Sequence, residues 1–336
     1  MNLHISLLIF FSILNLVLIL NFSKIKLFKI NLDKPDKIRK IHKNPTPLAG
    51  GQIIYLNILL YWIILNFSEN LFDKEIFFEN IFSLNIFFIF SSIIFFIGFF
   101  DDRYNVKASL KFFILIIVIF TLLLFDNDLI ISNIKFSFYQ KNFSLDEYHI
   151  LFSTFCFLVF LNAFNMFDGI NLQSSIYSLI ILFFILVFVS NSLLISILII
   201  SLIGFSFLNF KNKSFLGDSG TLLLAFIISF SFIKLYNLEF IKYADQIIIY
   251  MLIPGLDLIR LFIFRILQKR NPLSPDRYHL HHILIKKFSL AKTLFIIMFL
   301  IFFPIILDYF NFDNFFNIII TTLLYSIVVR INYQKI

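Results

Sequence analysis

Residues 162–171 read NAFNMFDGIN and close an apolar segment of the chain. The polar side chains that recur there at a spacing of three residues are Asn162, Asn165, Asp168 and Asn171. If the preceding helix continues through the stretch, these side chains share one face. A polar stripe at the mouth of a membrane helix is costly, which favours a functional site. The alternative is a solvated turn in which asparagine and glycine serve turn geometry.

Composition decides the class of protein. Hydrophobic residues make up 60% of the 336 residues and charged residues 14%. Such a chain has more apolar surface than one globular core can bury, so it is expected to lie in a bilayer. The single cysteine, Cys156, lies in an apolar run, which excludes a disulfide framework or a thiolate metal site. We interpret it as a small buried hydrophobe.

Apolar segments predict an all-α polytopic membrane protein with about eleven transmembrane helices. The first segment has no basic region before it and no cleavage site after it, so we expect a retained helix rather than a signal peptide. Residues 126–149 are polar and partly alternating, which predicts a small external hairpin. The predicted helices cover about 4–22, 48–67, 81–100, 109–125, 150–165, 172–190, 193–210, 221–237, 244–267, 291–309 and 314–330.

Charge predicts the orientation. Most of the 28 lysine and arginine residues fall in segments that an eleven-helix topology places on one side, above all in 24–43 and 260–292. The positive-inside rule makes that side cytoplasmic, so the N-terminus is outside and the C-terminus inside. The net charge of +8 then reflects this asymmetry and attraction to anionic lipid, and it indicates no nucleic-acid partner. The basic residues left outside are Lys74, Lys135, Lys141, Lys234 and Lys242.

Four polar segments fall at helix mouths on the predicted cytoplasmic side. They are Asp101-Asp102, the stretch 162–171, Gly217-Asp218 and the histidine segment 279–282. An acidic loop at 69–79 lies on the opposite side in this topology. Separate segments that bring carboxylates, amides and imidazoles to one membrane face predict an active site at the cytoplasmic interface.

The carboxylates of these segments suit cation or proton chemistry. The adjacent Asp101 and Asp102 can bind a metal or abstract a proton, because their repulsion raises one pKa. Ordinary solvation of a helix end is the alternative. Asp218 is flanked by glycines where a helix is predicted to open, and free N–H groups there can meet an anionic ligand. Alternatively, Asp218 or Ser219 serves as the N-cap of that helix.

The histidine segment reads HLHH and follows Arg277. Its imidazoles and the guanidinium suit phosphate oxygens. A site without cysteine that is rich in carboxylate and amide oxygens favours Mg²⁺, or Mn²⁺, over zinc. Three close histidines fit zinc as the alternative, but no second cluster of soft ligands supports it.

The order DDR, NAFNMFDGIN, FLGDSG and HLHH resembles the polyprenyl-phosphate N-acetylhexosamine-1-phosphate transferases of glycosyltransferase family 4. The resemblance spans essentially the whole chain. Two further segments take part, namely Ile41-His42 through Pro47 to Gly50-Gly51, and Pro254 with Asp257 and Arg260.

The resemblance implies one integral membrane transferase domain over residues 1–336, in the bacterial inner membrane. Such an enzyme moves a sugar-1-phosphate, with GlcNAc as the default sugar, from a UDP-sugar to undecaprenyl phosphate. It releases UMP, needs Mg²⁺ and starts a cell-surface polysaccharide such as the O-antigen of lipopolysaccharide. A homodimer is one expected assembly.

Matching positions carry the family's roles to this chain. Asp101 and Asp102 fit the paired aspartates near the lipid phosphate, and Asp168 fits the aspartate of NxxNxxDG, so these three are the expected catalytic residues. Asp218 fits the aspartate assigned to Mg²⁺, with Asn165 as a second ligand. Phe215 fits the aromatic residue that stacks on uracil. The other expected substrate-binding residues are Asn171, Asn209, Arg277, His279, His281 and His282.

The chain departs from the family pattern in three places. The loop that carries Phe215 is about one residue shorter than in the family, and Asn209 is the expected uracil contact beside it. Asn171 stands where bacterial members usually have a second aspartate, so it cannot act as an acid or base. Ser109 stands where a basic residue is common, although Lys111 follows.

The sequence also allows two alternative functions. The pentapeptide transferase of peptidoglycan synthesis typically carries HHHFE, whereas this chain reads HLHHIL. A lipid or solute transporter would place polar groups near mid-membrane and often shows internal repeats.

Two mechanisms remain open at this point. In the favoured one, an aspartate of the Asp101-Asp102 pair deprotonates or orients the lipid phosphate, which attacks the β-phosphate directly. In the other, an aspartate first forms a phospho-sugar intermediate.

Overall fold

The computed structural model describes residues 3–35, 44–68, 75–272 and 276–333. Its α-helices, numbered α1 to α12 in chain order, are Leu3–Leu20, Gly50–Asn66, Ile81–Tyr104, Ala108–Phe125, His149–Phe167, Gln173–Phe188, Leu193–Phe210, Gly217–Asn237, Ala244–Leu267, Leu280–Ile285, Leu290–Tyr309 and Asn314–Asn332. The strands β1 to β4 are Leu32–Asp33, Thr46–Pro47, Asn133–Phe136 and Tyr139–Ser144.

Every apolar segment predicted from the sequence forms a helix. Within the described ranges, nine helices are long and apolar enough to cross a membrane. Two more apolar helices, α2 and α6, are shorter, with 17 and 16 residues. The prediction of a helical, polytopic membrane protein is confirmed, while the count of eleven crossings and their orientation stay predictions.

Local polar residues fix where several helices begin. Asn80 and Ser83 form a reciprocal capping box at the start of α3, and Ser192 caps α7. Such side chains satisfy backbone groups that the first turn leaves unpaired. Helix α8 begins at Gly217, earlier than predicted, so the sequence GDSG is its first turn.

Two small antiparallel ladders accompany the helices. β1 pairs with β2, a ladder that the sequence did not predict. β3 pairs with β4 within the polar segment 126–149, which confirms the predicted hairpin. The hydroxyl of Tyr236 accepts a hydrogen bond from the Lys135 N–H (2.8 Å) and donates one to the Asn133 carbonyl (3.0 Å). The hairpin is thereby attached to the end of α8.

Contacts divide the chain into two compact units. Unit 1 comprises 1–107, 124–126 and 178–231, and unit 2 comprises 108–123, 127–177 and 232–336. In unit 1, α7 packs on both α1 and α2, and the side chains of Asn15 and Asn57 bond to each other (2.8 Å). In unit 2, α9 packs on α5, α11 and α12. The prediction of one domain over the whole chain stays a prediction.

Glu75, in the predicted acidic loop, is buried. Its carboxylate accepts hydrogen bonds from the N–H groups of Leu193 (2.6 Å) and Leu194 (3.1 Å) and from the Ser192 hydroxyl (3.2 Å). Burial raises the pKa of Glu75 to about 7, against the opposing effect of these hydrogen bonds. The carboxylate therefore caps the start of α7 from a distant segment.

Parts of two predicted loops lie outside the described residues. They are Lys37, Arg39, Lys40, Ile41, His42 and Lys43 of the basic stretch, and Glu69, Asp73 and Lys74 at the acidic loop.

Candidate active site

In unit 1, a carboxylate from α3 caps the first turn of α8. Asp102 accepts hydrogen bonds from the N–H groups of Asp218 (2.7 Å) and Ser219 (3.1 Å) and from the Ser219 hydroxyl (2.8 Å). The expectation that these N–H groups are free to meet an anionic ligand is therefore wrong, because Asp102 already occupies them. The alternative, in which the side chain of Asp218 or Ser219 caps N–H groups further along α8, stays a prediction.

Asp101 serves a different segment from its neighbour. Its carboxylate is buried and accepts a hydrogen bond from the N–H of Val106 (2.8 Å). Helix α3 ends just before, at Asn105, whose φ of 50° is left-handed. Asp101 thus stabilises the turn that leaves α3, and Asp102 stabilises the start of α8. Their predicted catalytic roles are neither required nor contradicted by these contacts.

Glycine lets α3 approach the start of α8. A Cβ added at Gly98 would lie 2.5 Å from the Ser219 backbone nitrogen and from its Cα. Gly217 has φ +73°, and a Cβ there would lie 2.7 Å from a carboxylate oxygen of Asp102. These positions leave no room for a side chain, so the Asp102 cap depends on them.

Replacing Gly98 with alanine should destabilise unit 1. The added methyl group would meet backbone atoms, which cannot rotate away, and overpacking of this kind costs about 1–3 kcal/mol. Gly255→Ala is the matched control, because no atom lies within 4 Å of the Cβ position at this glycine in α9. Thermal unfolding in detergent should give a lower Tm for Gly98→Ala alone. Equal Tm values for both variants would contradict the close approach.

The loop before α8 is fixed by backbone contacts to the segment before α2. The N–H of Phe215 donates to the Pro47 carbonyl (2.9 Å), and the Phe215 carbonyl accepts from the Gly50 N–H (3.0 Å). The Phe215 ring is half-buried. Asn209 is buried, and its amide nitrogen donates to the Ser214 carbonyl (2.8 Å). Asn209 therefore shapes this loop, and its role as a uracil contact stays a prediction.

Unit 1 can contribute to a divalent cation site. Asp102 and Asp218 lie side by side, because the Asp102 carboxylate accepts a hydrogen bond from the Asp218 N–H (2.7 Å). The described residues contain no cluster of three or more histidine, cysteine, aspartate or glutamate side chains that could hold a metal. Mg²⁺ needs no such cluster, because it is usually held by one or two carboxylates, waters and substrate phosphates. The assignment of Mg²⁺ to Asp218 is compatible with these contacts and stays a prediction.

In unit 2, the stretch 162–171 is not one continuous helix. Helix α5 ends at Phe167, and Asp168 has φ −75° and ψ 85°, outside the helical range. Asn162 and Asn165 remain on the helix, and the Asn162 amide donates back to the Leu158 carbonyl (2.7 Å). The predicted single polar face is therefore wrong for Asp168 and Asn171, which lie in the turn that follows.

This turn carries backbone strain. Leu172 has φ +70°, in the left-handed region. A bulky L-residue reaches that region at a cost of roughly 1–2 kcal/mol. Strain of this kind is found most often where a site must hold a set geometry.

The turn packs against the histidine segment. A Cβ added at Gly169 would lie 2.0 Å from Nε2 of His281, so the Gly169 backbone lies directly on the imidazole. The His281 ring is buried, and its centroid lies 4.3 Å from that of His282. Two of the predicted polar segments, 162–171 and 279–282, thus meet within unit 2.

Asp257 of α9 holds the start of the histidine segment. Its carboxylate accepts hydrogen bonds from Nδ1 of His279 (3.0 Å) and from the N–H of Leu280 (3.2 Å). The Arg260 guanidinium (2.8 Å) and the Tyr325 hydroxyl (2.7 Å) also donate to it. The other ring nitrogen of His279, Nε2, is not used in this contact with Asp257. Asp257 is thus a positioning residue for the histidines.

Two of the histidines in this segment are neutral rather than cationic, although the expected role in phosphate binding suggested cations. Burial lowers the pKa of His281 well below its usual value, and burial also lowers the pKa of His282 to about 4. Both imidazoles are therefore neutral at pH 7 and can offer hydrogen bonds without charge. Arg277 is exposed and supplies the cation of this segment.

Sequence reasoning missed several residues that hold these segments. Asp257 and Arg260 entered only through the resemblance, although an aspartate and an arginine three residues apart in an apolar helix are themselves a signal. The buried pair of Arg265 and Asp276 (2.7 Å) braces the loop before the histidines. Gly98 carries no motif that could have marked it.

Comparison with known proteins defines the class. Residues 84–236 match the model of glycosyl transferase family 4, a range that includes the Asp102 cap and the turn at Asp168. This match and the relatives described below bear out the resemblance to the family.

Curated relatives carry one name, undecaprenyl-phosphate alpha-N-acetylglucosaminyl 1-phosphate transferase. The protein of this name from Thermotoga maritima is 29% identical over 270 residues, which cover 80% of this chain and 77% of the relative. That from Escherichia coli O157:H7 is 24% identical over 279 residues, covering 80% and 72%. That from Salmonella typhi is 23% identical over 283 residues, covering 80% and 73%.

Proposed function

We propose that this chain transfers N-acetylglucosamine 1-phosphate from UDP-N-acetylglucosamine to undecaprenyl phosphate. An oxygen of the lipid phosphate attacks the β-phosphorus of the UDP-sugar. The bond from that phosphorus to UMP breaks, so the products are a lipid-linked sugar diphosphate and UMP. The family match and the name of the relatives support the reaction. The product would start a cell-surface polysaccharide such as the O-antigen.

The observation that carries the proposal is the Asp102 cap. It fixes the backbone of Asp218, so that this carboxylate has a set position at the start of α8. We assign Asp218 to Mg²⁺, which when bound neutralises phosphate charge and polarises the leaving UMP. The role of Asn165 as a second ligand, and Mn²⁺ as a substitute, stay predictions.

The direct route suits the contacts of the aspartate pair. A phosphate monoester has a second pKa near 6, so a lipid phosphate is largely a dianion at pH 7. It therefore needs little help from a general base. Asp101 and Asp102 are held by backbone donors, which suits positioning better than nucleophilic attack. We propose the one-step displacement on these grounds.

In unit 2, the neutral histidines and Asp168 would meet the substrate phosphates and sugar. His281 and His282 donate hydrogen bonds without bringing charge, and Arg277 adds the cation. Asn171 offers both an amide donor and an acceptor for the sugar.

An assay of UMP release tests the function. Purified protein in nanodiscs is supplied with undecaprenyl phosphate, Mg²⁺ and one UDP-sugar from a panel. We expect UMP with UDP-N-acetylglucosamine, and much less with UDP-N-acetylgalactosamine or UDP-N-acetylmuramoyl pentapeptide. UMP release only with UDP-N-acetylmuramoyl pentapeptide would show instead that the chain is the pentapeptide transferase of peptidoglycan synthesis. No release with any sugar would contradict the transferase.

We further propose eleven crossings of the bacterial inner membrane, with the N-terminus outside and the C-terminus in the cytoplasm. The distribution of lysine and arginine supports this orientation. The hairpin residue Asn142 and Lys286, at the end of α10, are both exposed. In a Cys156→Ser background, Asn142→Cys should react with an impermeant maleimide in intact cells, and Lys286→Cys only after lysis. The reverse labelling would contradict the orientation.

A further inference from the structure

A groove lies between α9 and α12 near the C-terminal ends of both helices. It has a volume of about 400 Å³ and opens on one side. Its walls include the apolar side chains of Leu256, Ile259 and Val329, and its polar lining includes Arg260 and Arg330. Apolar walls beside two guanidinium groups match a ligand with a hydrocarbon part and an anionic part.

The guanidinium groups have unused hydrogen-bonding capacity. Arg330 is exposed in the last turn of α12 and forms no hydrogen bond or ion pair within the described part of the chain. Arg260 uses Nε for the Tyr325 hydroxyl (2.9 Å) and Nη2 for Asp257 (2.8 Å) and the Tyr278 carbonyl (2.5 Å). Its Nη1 has no bond to any described residue. Arg260 is therefore fixed in place with one donor group to spare.

The charge around the groove is positive. Asp257 balances Arg260, but no carboxylate belongs to the lining itself, and no described residue pairs with Arg330. Lys287 adds another cation nearby, since its ammonium group donates to the Ile331 carbonyl (2.8 Å). This end of the helices lies on the predicted cytoplasmic side, where anionic lipid headgroups concentrate basic segments.

We propose that the groove binds an anionic phospholipid of the surrounding bilayer. The phosphate would lie between Arg330 and Nη1 of Arg260, with an acyl chain along Leu256, Ile259 and Val329. Arginine forks suit phosphate oxygens, and basic pockets between membrane helices bind anionic headgroups. None of the predicted catalytic aspartates lines the groove, so a phosphate there would be held without reacting. The inference goes beyond the transferase reaction and does not depend on turnover.

The bound lipid would also affect the histidine segment. Arg260 contacts both Asp257 and the Tyr278 carbonyl, and the next residue, His279, donates to the same Asp257. A phosphate on Arg260 therefore reinforces the contacts that hold the start of α10. Tyr333 also lines the groove. Tyrosine is enriched at the membrane–water interface, where a lipid headgroup would lie.

Native mass spectrometry of the purified protein in detergent tests the proposal. The probes are phosphatidylglycerol and phosphatidylcholine with the same acyl chains. We expect the wild-type chain to retain phosphatidylglycerol in preference to phosphatidylcholine. Arg330→Gln should weaken phosphatidylglycerol binding about fivefold, the effect of one basic residue at a membrane surface. Arg330→Lys should retain part of it. Arg270→Gln is the matched control, because Arg270 is exposed at the end of α9 but does not line the groove.

Three results would overturn the inference. One is unchanged phosphatidylglycerol binding by Arg330→Gln, and another is an equal loss in Arg270→Gln, which would indicate a diffuse charge effect. The third is displacement of phosphatidylglycerol by undecaprenyl phosphate together with a higher KM for that substrate in Arg330→Gln. That result would assign the groove to the substrate. Lipid adducts are counted without turnover, so an inactive enzyme would not affect the first two readings.

Discussion

Asp218→Asn should abolish turnover while the protein remains folded and inserted. The amide has the shape of the carboxylate but no charge, so Mg²⁺ would lose its charged ligand on α8. Loss of such electrostatic stabilisation lowers kcat by at least about 10²-fold. The measurement is UMP release over a series of Mg²⁺ concentrations, with Tm recorded for each variant.

The variant Asp102→Asn distinguishes the role of Asp102 in the helix cap from the role of Asp218 in metal binding. The asparagine amide keeps one acceptor oxygen, but it places an NH₂ donor where the second carboxylate oxygen was. That donor would face the N–H groups or the hydroxyl from which Asp102 accepts hydrogen bonds. We therefore expect this variant to lose stability, by about 1 kcal/mol as for other helix caps, as well as activity. Asp218→Asn should leave the cap itself in place, because the Asp218 contact to Asp102 is made by its backbone N–H. Near-normal kcat for Asp218→Asn at limiting Mg²⁺ would show that the metal assignment is wrong.

The second large effect is expected at Asp168. Asp168→Asn should lower kcat by about 10²-fold or more, as when a positioned acid, base or electrostatic group is removed. Asn171→Asp should cost about 10-fold or less, or about 1.4 kcal/mol of barrier, because we assign the amide there to substrate binding and not to acid or base catalysis. Both residues lie in the turn whose Gly169 packs on His281.

A comparison of kcat for these two variants, with membrane insertion confirmed, shows whether the stretch 162–171 is part of the catalytic site or only a structural turn. A turn that serves only local geometry predicts small losses from both changes. Equal and small losses would therefore remove the stretch 162–171 from the catalytic centre. A larger loss from Asn171→Asp than from Asp168→Asn would reverse the assigned roles.

The sequence was sufficient for the helices and the family. Runs of apolar residues long enough to cross a bilayer have few alternatives to helix, so even α7 and α9 were predicted with the bounds that the structure has. The alternating segment 126–149 gave the hairpin for a similar reason, since period-2 patterning favours strands. The resemblance to the family followed from the order of four motifs, although each motif alone was weak.

The contacts that organise the site could not be predicted. Asp102 and Asp218 are 116 residues apart, and nothing local indicates that one caps the helix of the other. The end of α5 at Phe167 was missed because a spacing of three suits either a helix or a turn. The neutral state of His281 follows from burial against Gly169, which is a property of packing rather than of the motif.

The hydrogen bond from Tyr325 to Asp257 bears on how the protein is made. Tyr325 lies on α12, 68 residues after Asp257, whereas the other groups that bond this carboxylate lie between Arg260 and Leu280. During synthesis the earlier helices emerge first. Asp257 lacks one of its donors until α12 has been made and has packed beside α9. The histidine segment therefore reaches its final geometry late in biogenesis, and a ribosome-bound chain that stops before α12 would present these imidazoles without their complete support.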